Sequence, residues 1–370
     1  MKEAALLHCP HSNICGICTW IQLSAIEQQT KKIKSLQSAL QNSLISFPQE
    51  IRFLSPSFSK IRDRVDLIYD SGRYGFYQAG KKQIFEVESC LQMSPALFEF
   101  FQDLKKIPLP IQNKGSIRLR VSPSGERGLW LDFANLDVKS LLEEKTSLQA
   151  LMKLASVEIG QKRKKLSAEL KLTEPMPRHW TRTWAGQKSI DLNSFVGSFS
   201  QAGDSANQAL IRELQGFFRN AKSADWVEFG SGQGNLTFPL AAEKAKVLAL
   251  ESDPLALQCL QNTLQENPEF QNKISFLQGD FQIQKRHRFQ KQEGVLVNPP
   301  RPGLKDFLLP LKEMQPADRP QDFIYMSCYL ESFLADAKQL HLLGYRIEQL
   351  SIVDQFPQTS HFEILSRWQL

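Results

Sequence analysis

The sequence predicts an α/β fold in which a C-terminal doubly wound, Rossmann-like sheet follows a central antiparallel β region and an N-terminal cysteine segment. From about Ser189 onward, short apolar runs alternate with helical patterns, which is typical of parallel βαβ units. Across residues 52–172, apolar and polar residues alternate with period two, which predicts antiparallel strands. Cysteines and one helical pattern occupy the start of the chain. We therefore expect three domains, at residues 1–50, 51–180 and 181–370.

Composition narrows the class of protein. The 370 residues are 42% hydrophobic and 23% charged, which is ordinary for a soluble protein that buries a core. The apolar stretches are of strand length, whereas a membrane helix needs about 20 apolar residues, and the start lacks the apolar core of a secretory signal. We expect a cytoplasmic monomer without a membrane partner. Because the cytoplasm keeps thiols reduced, we expect its six cysteines to be metal ligands or nucleophiles rather than disulfide partners. The net charge of +6 weakly favours a polyanionic partner.

The elements follow in chain order. The pattern Ser24-x-x-Glu27 predicts a helix start, and Ile26, Ile33 and Leu36 follow it at helical spacing, so we expect an amphipathic helix with a basic face. Strands are predicted in the central region at residues 65–72, 116–122 and 128–133. In the C-terminal region, strands are predicted at residues 226–229, 247–251, 274–277, 295–298, 323–326 and 346–350, with helices at 236–242 and 254–264. The basic run at residues 162–165 predicts either a solvated turn or an RNA contact.

A glycine loop follows the first C-terminal strand. Gly230, Gly232 and Gly234 have the spacing G-x-G-x-G, so the loop lets the backbone approach a ligand but lacks the dinucleotide fingerprint G-x-G-x-x-G. Glu251 closes the next strand, where a carboxylate can accept hydrogen bonds from both ribose hydroxyls, and Asp280 after the third strand can face an adenine. A nucleoside cofactor without a pyrophosphate fits this pattern best. The sequence thus predicts S-adenosylmethionine, with solvated strand ends as the alternative for both acids.

Three further residues come after later strands or lie near the C-terminus. Asn298 opens a rigid N-P-P loop at the same binding edge. Cys328 follows a strand at that edge, and Glu363 lies in a second segment that can fold back to it. A thiolate that adds to C6 of a pyrimidine raises electron density at C5, and a carboxylate can then remove the C5 proton. We therefore expect Cys328 as nucleophile and Glu363 as base.

These motifs resemble the bacterial RNA (uracil-5-)-methyltransferases, especially the iron-sulfur branch that acts on 23S rRNA. The resemblance spans nearly the whole chain. Residues 198–201 resemble the S-F-F-Q segment, residues 234–237 the G-N-F-T helix start, and residues 298–303 the N/D-P-P-R-x-G loop. Ser327 and Cys328 resemble the nucleophile site S-C-N, and residues 354–363 resemble D-x-F-P-x-T-x-H-x-E, which ends in the general base.

The resemblance implies a specific reaction and specific residues. It implies methylation of C5 of a uridine in 23S rRNA from S-adenosylmethionine, with Gln201 and Asn235 added to the cofactor shell. Tyr329 replaces the usual Asn after the nucleophile. Arg301 stands where amine methyltransferases with a similar loop place an aromatic residue, which makes amine methylation the weaker enzymatic alternative. The start at the cysteine motif leads us to expect the short branch without a TRAM domain.

Four cysteines form a candidate metal site. Cys9, Cys15 and Cys18 have the spacing C-x5-C-x2-C, and Cys90 can supply a fourth thiolate. Four thiolates suit zinc or an iron-sulfur cluster, and the spacing alone slightly favours zinc. The resemblance implies a [4Fe-4S] cluster instead. A tRNA T-loop uridine is the alternative substrate, and a non-catalytic iron-sulfur RNA-binding protein is the alternative class.

Overall fold

The computed structural model describes residues 7–160, 164–279 and 289–370. The helices in these ranges are α1 (Ala25–Asn42), α2 (Pro95–Lys105), α3 (Val138–Glu143), α4 (Lys145–Leu154), α5 (Asp204–Asn220), α6 (Thr237–Glu243), α7 (Pro254–Glu266), α8 (Leu309–Glu313) and α9 (Leu330–Leu342). The strands are β1 (Arg52–Leu54), β2 (Arg64–Asp70), β3 (Arg73–Tyr77), β4 (Ile84–Glu86), β5 (Gly115–Val121), β6 (Arg127–Asp132), β7 (Ser156–Ile159), β8 (Lys164–Leu166), β9 (Leu172–Thr173), β10 (Arg178–Ala185), β11 (Lys188–Ser194), β12 (Asp225–Phe229), β13 (Lys246–Glu251), β14 (Ile274–Gln278), β15 (Glu293–Val297), β16 (Asp322–Ser327), β17 (Arg346–Val353) and β18 (Glu363–Gln369).

The C-terminal region is built on an eight-stranded sheet in the order β1-β17-β18-β16-β15-β12-β13-β14. Strands β12 to β16 run parallel to one another, as the alternation of strands and helices predicts. Val227 and Val295 are fully buried in the middle of this sheet, as expected for strands with helices on both faces. The predicted α/β class is therefore confirmed.

Two strands of this sheet depart from the predicted pattern. β18 lies between β16 and β17 and runs antiparallel to both. β1 joins the far edge by pairing in parallel with β17, so that Arg52 lies beside Ser351. Three residues of the central part of the sequence thus complete the C-terminal sheet.

The central region forms a second eight-stranded sheet in the order β4-β3-β2-β5-β6-β7-β8-β9. Its pairs are antiparallel except for β6 and β7, which α3 and α4 connect in parallel. The three strands predicted here correspond to β2, β5 and β6. Leu67, Leu119 and Leu129 are fully buried on one face of this sheet. A separate hairpin, β10-β11, packs against α5, α6 and α7.

Helix α1 begins at the predicted capping box, since Ser24 and Glu27 satisfy each other's backbone N–H groups. Its buried face differs from the predicted one. Leu36 is fully buried, but Ile26 is 54% exposed. The side chains of Gln28 and Lys32 are buried in its place, 1% and 0% exposed. The reason is a polar loop, residues 354–358, that packs against this face.

No helix in the three described ranges is long and apolar enough to cross a membrane.

Candidate active site

A cavity of about 270 Å³ lies at the carboxyl ends of β12, β13 and β15. A ligand site is expected at this edge of an open α/β sheet. Six of the seven predicted cofactor residues line the cavity: Gln201, Gly230, Gly232, Asn235, Glu251 and Asn298. The seventh, Asp280, lies outside the described residues.

The glycine loop has the backbone that its sequence predicts. Gly232 and Gly234 have φ values of 57° and 97°, in the left-handed region that favours glycine. A Cβ on Gly234 would lie 2.7 Å from Cδ1 of Leu260, so this glycine also permits close packing on α7. No atom lies within 4 Å of the Cβ position of Gly232. The loop therefore keeps its backbone open toward the cavity.

The carboxylate of Glu251 is fixed by backbone N–H groups. Oε2 accepts from the N–H of Gly232 at 2.9 Å, and Oε1 accepts from those of Ser252 at 2.7 Å and Asp253 at 2.8 Å. The hydroxyl of Ser252 also donates to Oε1, at 3.1 Å. Oε1 thus accepts three hydrogen bonds and Oε2 only one. A carboxylate oxygen has about two acceptor positions, so Oε2 keeps one for a ribose hydroxyl in the cavity.

A Glu251→Ala variant is expected to bind S-adenosylhomocysteine roughly 10- to 100-fold more weakly, because hydrogen bonds to a charged group contribute about 1.5–3 kcal/mol each. Isothermal titration calorimetry measures the change. The matched control is Glu313→Ala, at an exposed glutamate of α8, which should bind as the wild type does. Unchanged affinity in the Glu251 variant would contradict the ribose role.

Asn235 is held by a second asparagine that the sequence analysis did not identify. Its Nδ2 donates to Oδ1 of Asn207 at 2.9 Å, and Nδ2 of Asn207 donates back to Oδ1 of Asn235 at 2.8 Å. The carbonyl of Asn235 accepts from the hydroxyl of Thr183 at 2.7 Å. Asn207 lies on α5, so this helix fixes the end of the glycine loop. Only the tertiary pairing reveals its role.

Arginines of the central sheet hold the segment that carries Gln201. Arg120 donates to the carbonyls of Phe195 at 2.8 Å and Ser198 at 2.9 Å, and Arg64 donates to the carbonyl of Ser200 at 3.2 Å. Burial, and after it neighbouring arginine charge, lowers the pKa of Arg120 to about 9. Residues 195–200 are thus fixed by charged donors from another sheet, a contact that no local sequence pattern predicts.

Glu228 is a buried acid at the cavity that the sequence analysis did not assign. It is 2% exposed, and the hydroxyl of Thr237 donates to its Oε2 at 2.6 Å. Burial, and to a lesser degree the charge of Glu251, raises its pKa to about 7. Glu228 is the penultimate residue of β12, two residues before Gly230, and this position was the only sequence signal for it.

Cys328 and Glu363 are brought together by the pairing of β16 with β18. Ser327 lies opposite Ile364 in this antiparallel ladder. Continuing the register by one residue places Cys328 opposite Glu363, because partners in an antiparallel pair advance in opposite directions. The unexpected strand β18 is therefore what joins the two predicted catalytic residues.

Burial perturbs both groups, and the charge of Glu363 also acts on Cys328. Burial raises the pKa of Glu363 to about 8, so the carboxylate form grows as the pH rises toward 8. Burial, and next the charge of Glu363, raises the pKa of Cys328. Arg301 opposes this: its charge and its hydrogen bond to the thiol lower the pKa of Cys328. The residue that lowers the pKa of this thiol thus comes from the N-P-P loop, which also places Asn298 in the cavity.

An Arg301→Met variant is expected to show slower alkylation of Cys328 by iodoacetamide near pH 8. Loss of the positive charge raises the pKa of Cys328, which decreases the thiolate fraction at a given pH. Peptide mass spectrometry over a range of pH measures the rate, and Arg346→Met at an exposed arginine of β17 is the control. An unchanged pH profile would exclude Arg301 as the activating charge.

The four candidate ligand cysteines lie in one neighbourhood, close enough for their charges to act on one another. Burial, and then the charges of Cys90, Cys15 and Cys9, raises the pKa of Cys18 to about 12. Arg62 lowers it and supplies a positive charge beside the thiols. Within residues 7–160, 164–279 and 289–370, no group of three or more His, Cys, Asp or Glu is arranged to hold a metal ion.

Comparison with known proteins gives the family. The model of a family described as tRNA (Uracil-5-)-methyltransferase matches residues 183–366. An "Uncharacterized RNA methyltransferase" of Bdellovibrio bacteriovorus is 40% identical over 368 residues, covering 98% of this chain and 95% of that protein. The 23S rRNA (uracil(1939)-C(5))-methyltransferase RlmD of Marinomonas sp. is 26% identical, covering 96% of this chain and 79% of that protein.

A solved structure shares the fold. The tRNA (uracil-54, C5)-methyltransferase of Pyrococcus abyssi, in complex with S-adenosyl-L-homocysteine, aligns with a TM-score of 0.70 at 20% sequence identity, over 97% of this chain and 86% of that chain. This similarity confirms the predicted fold class, and the family match and the relatives confirm the predicted reaction class. The chain belongs to the RNA (uracil-5-)-methyltransferase family and is an S-adenosylmethionine-dependent enzyme that methylates C5 of uracil in RNA.

Proposed function

We propose that this enzyme methylates a uridine of 23S rRNA with Cys328 as nucleophile and Glu363 as general base. The observation that supports this most strongly is the placement of the thiol and the carboxyl beside each other at the end of the β16-β18 ladder. A pair of this kind is what methylation at a pyrimidine carbon requires.

The proposed chemistry follows from the weak nucleophilicity of C5. The thiolate of Cys328 attacks C6, and the C5=C6 electron pair becomes an enolate that is nucleophilic at C5. S-adenosylmethionine, when bound, supplies the methyl group that C5 receives. The carboxylate of Glu363 then takes the C5 proton, and the electrons of that C–H bond expel the sulfur of Cys328 from C6 as a thiolate. The enzyme is regenerated with the proton on Glu363.

We propose that the cofactor is held by the residues that line the cavity. Glu251 binds the ribose, and the loop at Gly230 and Gly232 admits the nucleoside. Gln201, Asn235 and Asn298 complete the shell together with Asp280. The arginines of the central sheet support this shell by holding the segment before Gln201.

The ribosomal substrate is supported by the relatives. Two RlmD enzymes, from Marinomonas sp. and Shewanella piezotolerans, are named for uracil 1939 of 23S rRNA and cover 96% and 98% of this chain, at 26% and 24% identity. A uridine in folded RNA has to leave its stack to reach Cys328, which costs roughly a few kcal/mol. We propose that residues 1–50 and 51–180 hold the RNA while residues 181–370 perform the reaction.

We propose that Cys9, Cys15, Cys18 and Cys90 bind a [4Fe-4S] cluster. The donor set fits, because all four are free thiols of one neighbourhood with Arg62 beside them to offset thiolate charge. A bound cluster would cross-link the N-terminal segment to the central sheet.

A Cys90→Ser variant is expected to lose the visible absorbance and the bound iron of anaerobically purified protein, because one of four thiolates is removed. Cys259→Ser, at a buried cysteine of α7, serves as control. Zinc in place of iron and sulfide in the wild-type protein would contradict the cluster and favour a zinc site.

The substrate is tested by mass spectrometry of 23S rRNA and tRNA from cells with and without the protein. Loss of 5-methyluridine at one ribosomal position is expected in its absence. Loss from tRNA alone would show the T-loop uridine to be the substrate instead. Unchanged 5-methyluridine in both RNAs would contradict the proposed function.

A further inference from the structure

The loop that leads to Glu363 contains a strained residue. Residues 354–362 connect β17 to β18, and their path sets the position of Glu363 at the start of β18. Gln358 in this loop has φ of 69° and is fully buried. A residue with a Cβ avoids the left-handed region, and such conformations persist where the surroundings impose them. The contacts around Gln358 therefore hold it in this conformation.

Helix α1 and the turn before it make those contacts. Nε2 of Gln28 donates to Oε1 of Gln358, and Oε1 of Gln28 accepts from the backbone N–H of Gln358, both at 2.9 Å. The N–H of Trp20 donates to the carbonyl of Gln358, also at 2.9 Å. Both backbone polar groups of the strained residue are therefore bonded to the N-terminal segment.

Lys32 holds the start of the same loop. Its side chain is fully buried, and Nζ donates to Oδ1 of Asp354 at 2.7 Å and to the carbonyl of Phe356 at 3.1 Å. A buried ion pair is often no more stabilising than apolar side chains of the same size, but it defines one geometry. The pair therefore suits a positional role better than a stabilising one.

We propose that Lys32 and Gln28 of α1 are positioning residues that place the Glu363 carboxylate for removal of the C5 proton. This inference rests on the proposed roles of Cys328 and Glu363. Cys328 is positioned differently, by β16 in the middle of the sheet. Loss of the α1 contacts should therefore slow the step that Glu363 performs and leave the addition of Cys328 to C6 intact.

The test compares two steps in the full-length enzyme. The Lys32→Met/Asp354→Leu variant removes both buried charges together, and Gln28→Leu removes the two hydrogen bonds between Gln28 and Gln358. Lys31→Met, at an exposed lysine of the same helix, is the matched control. A 23S rRNA transcript with ordinary uridine reports turnover and the amount of protein-RNA covalent complex. A transcript with 5-fluorouridine, whose C5 proton is replaced, reports the rate of addition and methyl transfer alone.

Both variants are expected to turn over roughly 10- to 100-fold more slowly, since a displacement of about 1 Å of a catalytic group has an effect of that size. The covalent complex with ordinary RNA should accumulate, while the adduct with 5-fluorouridine RNA should form at the wild-type rate. If the double variant does not fold, Gln28→Leu decides the outcome alone.

Two results would overturn the inference. Turnover and adduct formation that decrease together would indicate general damage to the fold, and turnover equal to that of Lys31→Met would show that the contacts do not position Glu363. Failure of the wild-type enzyme to form the 5-fluorouridine adduct would refute the proposed mechanism itself, which separates the two claims.

Discussion

A Cys328→Ala variant is expected to lose methyl transfer to RNA by at least about 10⁴-fold, because C5 of uracil becomes nucleophilic only after the thiolate has added to C6. Binding of S-adenosylhomocysteine should remain, since Cys328 is not among the residues that line the cofactor cavity. Transfer of a labelled methyl group to 23S rRNA, measured in single turnover, gives the rate.

Cys259→Ala is the matched control, because this cysteine is a fully buried core residue of α7. It should retain activity. Substantial methyl transfer by the Cys328 variant would show that the reaction needs no thiol at this position. That result would favour amine methylation instead.

A Glu363→Gln variant is expected to turn over about 10²- to 10⁴-fold more slowly, the range typical of removing a general base. The variant should complete methyl transfer and then stop, because the C5 proton is no longer removed. The methylated RNA should therefore stay attached to Cys328, and the complex should resist denaturing electrophoresis. Release of methylated product at the wild-type rate would contradict the assignment of the base.

The same variant should be more stable than the wild type, which separates loss of function from unfolding. Burial raises the pKa of Glu363 to about 8 in the folded protein, against about 4.3 for a free glutamate. The unfolded chain is thus ionised at neutral pH while the folded protein keeps the proton, and this difference opposes folding. Because the substitution removes this opposition to folding, Glu363→Gln should have a higher unfolding temperature than the wild type, by an amount that grows from about pH 4.5 to pH 8.

Sequence patterns within a short stretch of chain predicted the parallel strands, the start of α1 and the glycine loop. The parallel strands β12 to β16 are apolar runs bounded by turns, and each was predicted within a few residues. The capping box at Ser24 predicted the start of α1. The glycine loop and Glu251 were found because a parallel sheet fixes where strand ends meet, so sequence position alone places them at one edge.

Contacts between distant segments were not predictable from a single sequence. No strand was predicted where β18 forms, and its antiparallel position beside β16 depends on the rest of the sheet. The burial of Lys32 contradicts the simple amphipathic pattern, because its partner Asp354 lies 322 residues away. Arg120 acts through a tertiary contact and has no motif of its own, and the N-P-P loop motif contains Arg301 without indicating its contact with Cys328. The central roles of Cys328 and Glu363 came from the resemblance and the chemistry, while their proximity came from the fold.

Peptide mass spectrometry after reaction with 5-fluorouridine 23S rRNA and S-adenosylmethionine tests the central claim most directly. The account predicts a methylated fluorinated nucleotide attached to the peptide that contains Cys328. An adduct on another cysteine, or formation of 5-methyluridine from ordinary RNA without any adduct from the fluorinated RNA, would contradict it.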